Sequence, residues 1–351
     1  MLDYLVVGLG LAGVSICEAL EENGHSFHVI SDGKQMASTV AGGVYNPVVL
    51  NRFKAVWKGD SFLDYALPFY RDLEVKLNMN FLEETTLKRR FASAEEQNLW
   101  FEAASDPRLK RFLSTEIIQN TNEALIAPYG FGNVLETGRV NVPKLVQKYR
   151  ENLSKQGRHS LETFDMSALD LTKDAVRYRD LKAKRIIWAI GHRNTALTYF
   201  DYIPLVGNKG ELLTIKALEL QLDSLIKGPV FILPIGDDLY KVGATYDRSD
   251  LTYEPTQAAR IRLSEQLESM ISCPYEIVAQ EAGIRPTVPD RRPLLGRHPQ
   301  YNNLVLYNGL GSRGVLMAPW LGRHLWEYLE KGKELLPELS IDRYEKRYQR
   351  L

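Results

Sequence analysis

Cysteine is scarce: the chain has two, Cys17 and Cys273. Cys17 falls within a helix-like run, which argues against a disulfide framework and fits a reducing, cytoplasmic setting. Neither cysteine has metal-ligand spacing, and no metal site is expected. An excess of one charge sign is also missing, with 44 Lys+Arg against 44 Asp+Glu. That removes any global pull toward nucleic acid or an anionic membrane and leaves only local patches. Long apolar runs are absent; Ile186–Gly191 and Val230–Pro234 are strand-sized, too short to span a bilayer. No signal-peptide pattern precedes the first strand, and there is no internal repeat or low-complexity tract.

What remains is the composition of an ordinary globular enzyme, 44% hydrophobic and 25% charged. A length of 351 residues allows a large core and two domains. The first 32 residues organise the rest. Leu5-Val6-Val7 is an apolar run, Gly8-Leu9-Gly10-Leu11-Ala12-Gly13 a glycine turn, and Val14–Gly24 has helical period. Phe27–Ile30 is a second apolar run, followed by Ser31 and Asp32. This is the layout of a βαβ unit that holds a dinucleotide. Gly8 suits a tight strand-to-helix turn, Gly10 admits a pyrophosphate close to the main chain, and Gly13 lets helix and strand approach. The helix N-terminus presents unpaired N–H groups to the phosphates. The alternative is a close-packed turn without a ligand.

Lys34–Pro47 is dense in small residues, and Ser38, Ala41, Gly42, Gly43 and Val44 are read as a cofactor contact rather than a free loop. Asp60–Asn78 and Ala94–Ala104 have helical periodicity, and Asn141 is placed to cap a helix that runs through Gln156. The basic clusters Lys88–Arg90 and Arg108–Arg111 read as solvated surface. Lys184–Gly191 is a buried-strand run that ends at Gly191, beside the cofactor. From Pro204 to Tyr253 the pattern is strand-rich, with a tight turn at Gly236-Asp237-Asp238, and predicts an antiparallel sheet in a second domain. Thr256–Ile271 is a helix, and the charged tail Asp342–Leu351 is expected at the periphery. Near the far end, the strand Leu304–Asn308 runs into a second glycine turn, Gly309-Leu310-Gly311-Ser312-Arg313-Gly314, and a helix starting near Val315. Two such turns at opposite ends suggest that both termini converge on one cofactor.

Together these motifs resemble the FAD-dependent amine oxidoreductases of the D-amino acid oxidase superfamily, especially the glycine and sarcosine oxidase branch. The resemblance rests on Gly8-x-Gly10-x-x-Gly13, Ala37-Ser38 with Ala41-Gly42-Gly43, and Trp188–Gly191. It continues through Val242-Gly243-Ala244-Thr245-Tyr246, Gly283-Ile284-Arg285-Pro286 to Asp290, and Gly309 to Pro319. The wording of Gly309–Gly314 and of Gly43-Val44-Tyr45-Asn46-Pro47 is similar to one relative, the FAD oxidase module of the bifunctional enzymes that finish 5-methylaminomethyl-2-thiouridine in tRNA. The methyltransferase module found beside it there has no counterpart in this sequence.

The implied fold is α/β: a Rossmann-like FAD-binding domain of glutathione-reductase type from residues 1–45, 137–197 and 283–335, an α+β substrate domain from 46–136 and 198–282, and a tail from 336. The implied activity is oxidation of a C–N bond of an amine or amino acid, with hydride transfer to flavin N5 and later hydrolysis of the imine. Arg285 would clamp a substrate carboxylate, or else act as a structural arginine. Tyr246 would line the substrate cavity. Tyr45 would cover the flavin face or sit in the core. Phe231 stands where glycine oxidase has a cavity tyrosine, and His192 and His298 are read as structural. Backbone N–H groups of Leu310, Gly311, Ser312, Arg313, Gly314 and Val315 would hold the flavin pyrimidine; with no cysteine among them, FAD is expected to bind non-covalently. At the second strand's end Ser31 occupies the position of the branch's ribose-binding acid and Asp32 follows it, so either may serve. The substrate would be a small amine or amino acid, with tRNA as an alternative and a flavoprotein of lost or secondary catalysis as a third. No motif specifies oligomeric state.

Overall fold

The computed structural model describes residues 1–34, 37–196 and 198–349. Gln35 and Met36 of the small-residue segment, Leu197 at an expected domain boundary, and Arg350 and Leu351 of the tail lie outside them.

The opening apolar run forms the strand Leu2–Val7, at the centre of an eight-stranded sheet. It pairs in parallel with Phe27–Ser31 on one side and Leu181–Trp188 on the other. The parallel order continues outward to His159–Leu161 beyond Phe27–Ser31, and to Leu304–Asn308 beyond Leu181–Trp188. Tyr4–Val7, Ile186–Trp188 and Leu304–Tyr307 are buried on both faces, which is why they read as unbroken apolar runs. The first half of Leu181–Trp188 also carries the antiparallel strands Val176–Tyr178 and Leu169–Leu171. The helix Leu11–Glu22 packs on the C-terminal helix Gly314–Lys331, where a Cβ added to Gly322 would stand 2.8 Å from the Ser15 carbonyl oxygen.

The second eight-stranded sheet has the order Glu276–Thr287, Val206–Lys216, Leu239–Gly243, Phe231–Gly236, Leu225–Lys227, Leu87–Arg90, Phe131–Val134, Leu113–Ile118. All pairs are antiparallel except Leu225–Lys227 with Leu87–Arg90, which run parallel. Asp237 and Asp238, both at positive φ, turn the central hairpin and match its strand twist. The long pairing of Val206–Lys216 with Glu276–Thr287 sets Arg285 opposite Asn208. Thr256 caps the helix Gln257–Glu268 with its side chain, and Leu263 and Leu267 are buried beneath it.

The tail departs in part from expectation. Leu339 and Ile341 are fully buried, and Leu295 N–H donates to the Leu339 carbonyl at 2.9 Å. Arg343 donates to the Asp290 carboxylate at 3.0 Å and to the carbonyls of Arg292 and Pro293. Asp342, Glu345, Lys346 and Arg347 stay exposed, so the segment from 336 is anchored by Leu339, Ile341 and Arg343 while its charged end remains at the surface.

Candidate functional site

One cavity of about 2160 Å³ opens at the carboxyl ends of the parallel strands and extends to the second sheet. It exceeds the ~300–1,000 Å³ of a drug-sized site, and it lies where the strand order reverses on either side of Leu2–Val7.

Both glycine turns reach this wall. Gly8, Leu9, Gly10 and Ala12 line it. Gly8 has φ +97, and a Cβ there would come within 2.5 Å of the Ala189 carbonyl oxygen, so only glycine closes this turn. Gly10 caps the helix Leu11–Glu22 with no side-chain hydrogen bond, and no acid occupies the first turn. Leu11 N–H donates to the Ser38 hydroxyl at 3.4 Å, and the positive helix end, with no acid beside it, favours an anion. Gly13 is not on the wall; its hydrogen faces the Gly8 carbonyl oxygen, which a Cβ would meet at 2.2 Å. Its role is close packing of helix on turn.

From the far end of the chain come Gly309, Leu310, Gly311, Ser312, Arg313, Gly314 and Val315, all on the wall. Asn308 joins the strand ends: its amide donates to the Gly191 carbonyl at 2.8 Å and its side-chain oxygen accepts from Gly309 N–H. Gly191 lies on the wall as well. Gly311 N–H donates to the Pro286 carbonyl at 3.0 Å, which clamps the turn to the strand that carries Arg285. Ser38, Ala41, Gly42, Gly43 and Val44 complete this side, with Ala37–Val40 forming a single helical turn.

Ser31 and Asp32 also line the cavity, but differently. The Ser31 hydroxyl is buried against His159 Nε2 at 2.9 Å. Burial, with Arg150 and His28 nearby, pushes that imidazole down to about 4, so it is neutral at pH 7. Asp32 accepts from Lys34 N–H at 3.1 Å and pairs with Arg193. Burial opposes the charge of Asp32 most strongly, yet the hydrogen bonds from Arg193 and the Lys34 N–H, with the charges of both residues, together keep the carboxyl below its usual range.

On the opposite wall, Arg285 lies with its guanidinium carbon 4.6 Å from the Tyr246 ring centre. It donates to the Thr245 carbonyl at 3.2 Å and to Asn208 Oδ1 at 3.4 Å. No carboxylate pairs with it among the described residues, and burial holds its pKa below the usual value. Arg313 is similar: Nη1 donates to the Asn46 carbonyl at 2.9 Å, no acid pairs with it, and burial lowers its pKa.

Tyr45 is not at the cavity. It is 3% exposed, its hydroxyl lies against Gly138, and burial pushes it up to about 12. The chain is extended here, so Val44 and Asn46 face the wall and Tyr45 faces away. His298 sits among Tyr199, Phe200, Tyr202, Tyr301 and Tyr348, a packing role. Phe231 and His192 line the cavity. The two basic clusters turn elsewhere, Arg89 to Glu96 and Arg111 to Asp64 and Glu136.

Sequence reasoning missed a set of dispersed cations. The wall carries ten lysines and arginines and three acids, in a chain with no net charge. Arg52, Lys227, Arg248, Arg262, Arg291 and Arg292 come from separate segments with no shared motif. Burial, then the charge of Arg89, pushes the Lys227 amine down to about 8. Arg193 and Asn308 were likewise missed as site residues.

Residues 3–328 match the family model described as DAO, FAD dependent oxidoreductase. The chain belongs to the DAO family of FAD-dependent oxidoreductases. Its α/β architecture is a Rossmann-like cofactor-binding unit joined to a second sheet domain. The glycine turns, the two helix N-termini without first-turn acids and the unpaired arginines fit the family's FAD, an anionic dinucleotide. Among curated relatives, the tRNA 5-methylaminomethyl-2-thiouridine biosynthesis bifunctional protein of Marinobacter nauticus is 26% identical over 187 residues, 45% of this chain and 30% of that one. Glycine oxidase of Bacillus subtilis is 26% identical over 143 residues, 39% of each chain. The alignments thus span well under half of either relative's length. The solved glycine oxidase of Bacillus cereus superposes with a TM-score of 0.79 over 95% of this chain and 96% of its own, at 18% identity, a likeness of fold. No helix among the described residues is long and apolar enough to cross a membrane.

Proposed function

We propose that this DAO-family oxidoreductase oxidises the C–N bond of a small amine or amino acid that carries a carboxylate. The observation that carries the reading is Arg285, a desolvated guanidinium without an acid partner, on the wall that both glycine turns reach. A guanidinium fork suits bidentate binding of a carboxylate, which would supply the missing counter-charge. Tyr246, stacked on Arg285, would limit where that group can sit.

FAD, when bound, supplies the acceptor for the substrate's α-hydrogen, taken as a hydride at N5. The chain's own residues do the rest. The Gly8–Ala12 turn and the helix end behind it receive the pyrophosphate. Asp32 is better placed than Ser31 for the ribose, because its carboxylate keeps acceptor sites beyond those used by Arg193 and the Lys34 N–H, whereas the buried Ser31 hydroxyl is taken up by His159. The Gly309–Val315 turn holds the pyrimidine end, without a covalent bond, through backbone N–H groups other than those of Gly309, Gly311 and Arg313, which bond to Asn308, Pro286 and Leu310. Arg285 orients the substrate so that its α-carbon faces the cofactor, and the oxidised product, an imine, hydrolyses to a carbonyl compound and an amine. In an anaerobic mixture of the yellow holoprotein with glycine, sarcosine or N-substituted glycines, at least one should bleach the flavin. If none does, the reading fails.

A second reading is favoured by the cationic wall, which would complement a phosphate backbone. In it the same C–N chemistry acts on a carboxymethylaminomethyl side chain of tRNA wobble uridine. An unchanged wobble-uridine profile in a strain lacking this protein would dismiss it.

A further inference from the structure

We propose that Arg313 receives a second anionic group of the substrate, so that the preferred substrate is an amine bearing two carboxylates. The inference rests on the reading of Arg285 as the clamp for the first.

Arg313 has five N–H donors, and one of them, on Nη1, is used by the Asn46 carbonyl. An interior guanidinium without a counter-charge is costly, and the cost is offset when an anion arrives. Among the described residues no side chain supplies that anion. The three acids on the wall are committed elsewhere: Asp32 to Arg193, Glu162 to Arg179, and Asp247 to the N–H and hydroxyl of Ser249. Arg313 is also tied to the substrate end of the cavity. The hydrogen bond from Gly311 to Pro286 joins its turn to the Arg285 strand, and Tyr246 lies within electrostatic reach of both guanidinia. Two guanidinia without acid partners among the described residues, on one wall and on backbone segments joined by the Gly311–Pro286 bond, fit a ligand with anions at both ends better than one with a single carboxylate. Ten cations against three acids leave a surplus on the wall that exceeds what the FAD diphosphate and one carboxylate would neutralise.

The test is equilibrium binding of two inert acids to the oxidised holoprotein, read by flavin difference spectra and calorimetry. Diglycolate has a carboxylate at each end of an ether; methoxyacetate is the same skeleton with one. The wild type should bind diglycolate at least about ten-fold more tightly. Arg313→Met should remove that preference, Arg313→Lys should restore part of it, and Arg285→Met should weaken both acids. Equal affinities in the wild type, or a preference that survives Arg313→Met, would overturn the inference while leaving Arg285 in place. Loss of FAD from Arg313→Met and Arg313→Lys would assign the arginine to the cofactor and also overturn it. If neither acid binds, or Arg285→Met changes neither, the underlying reading falls and the inference with it.

Discussion

The amide of Gly311 donates to the carbonyl of Pro286 at 3.0 Å, so the C-terminal glycine turn hangs from the strand residue next to Arg285. The cofactor side and the substrate side of the cavity are one backbone unit here. A shift in either turn or strand is transmitted to the other.

The two glycine turns should respond differently to alanine. Gly311 has φ +56, but its Cβ would reach only Thr287 Cγ2, at 4.0 Å. Gly311→Ala should cost about 1–2 kcal/mol of left-handed strain. Gly8→Ala adds the 2.5 Å contact with the Ala189 carbonyl to the same strain. It should lower the melting temperature further and leave the purified protein poor in FAD. Melting curves and flavin-to-protein ratios check both.

Arg285→Met should lower kcat/KM for a carboxylate-bearing amine by about 2–4 kcal/mol equivalent, roughly 30- to 900-fold, with FAD content unchanged. Arg285→Lys should recover only part, because an ammonium keeps the charge and loses the fork. Steady-state kinetics of the three proteins on one substrate decide it; equal values would remove Arg285 from the site.

His159 should make the protein acid-sensitive. Its folded pKa, pushed down to about 4 by burial and by the charges of Arg150 and His28, lies below the unfolded value near 6.5. Between these values the unfolded chain binds the extra proton, so stability is lost as pH falls from about 6.5 toward 4 and is intact above. His159→Gln keeps a partner for Ser31 and should flatten melting temperature against pH across this window. An unchanged slope would assign the acid sensitivity to other groups.

Arg343→Ala should loosen the Asp290–Pro293 loop that places Arg291 and Arg292 on the cavity wall. It removes the bonds to the Asp290 carboxylate and to two loop carbonyls, a loss of about 1–3 kcal/mol. Faster amide exchange in residues 288–293, together with a lower melting temperature, is the expected result; unchanged exchange there would show that other contacts hold the loop.

How much was legible follows the range of each interaction. The Gly8–Gly13 and Gly309–Gly314 turns could be read because a positive φ or a missing Cβ is a local demand that glycine alone meets. The runs Leu5–Val7 and Leu304–Leu306 within their strands could be read because burial on both faces leaves no polar position there. Tyr45 could not be placed, since one residue along an extended chain exchanges the cavity face for the core face. The tail was legible only in part: Asp342 is solvated as it looks, whereas Arg343 looks solvated until Asp290 is known to lie opposite it.

By itself, then, the sequence determined the Rossmann-like unit, both glycine turns that line the cavity and, through resemblance, the family, because those features are written in neighbouring residues. Tertiary structure decided the charge of the cavity, the partnering of Asp32 with Arg193, and the meeting of Arg313 and Arg285 on one cavity wall. These depend on side chains from segments separated by up to 260 residues, as Arg52 and Arg313 are by roughly that span. Whether a charge is solvated, paired or left waiting for a ligand is a property of the space around it, and only the folded chain encloses that space.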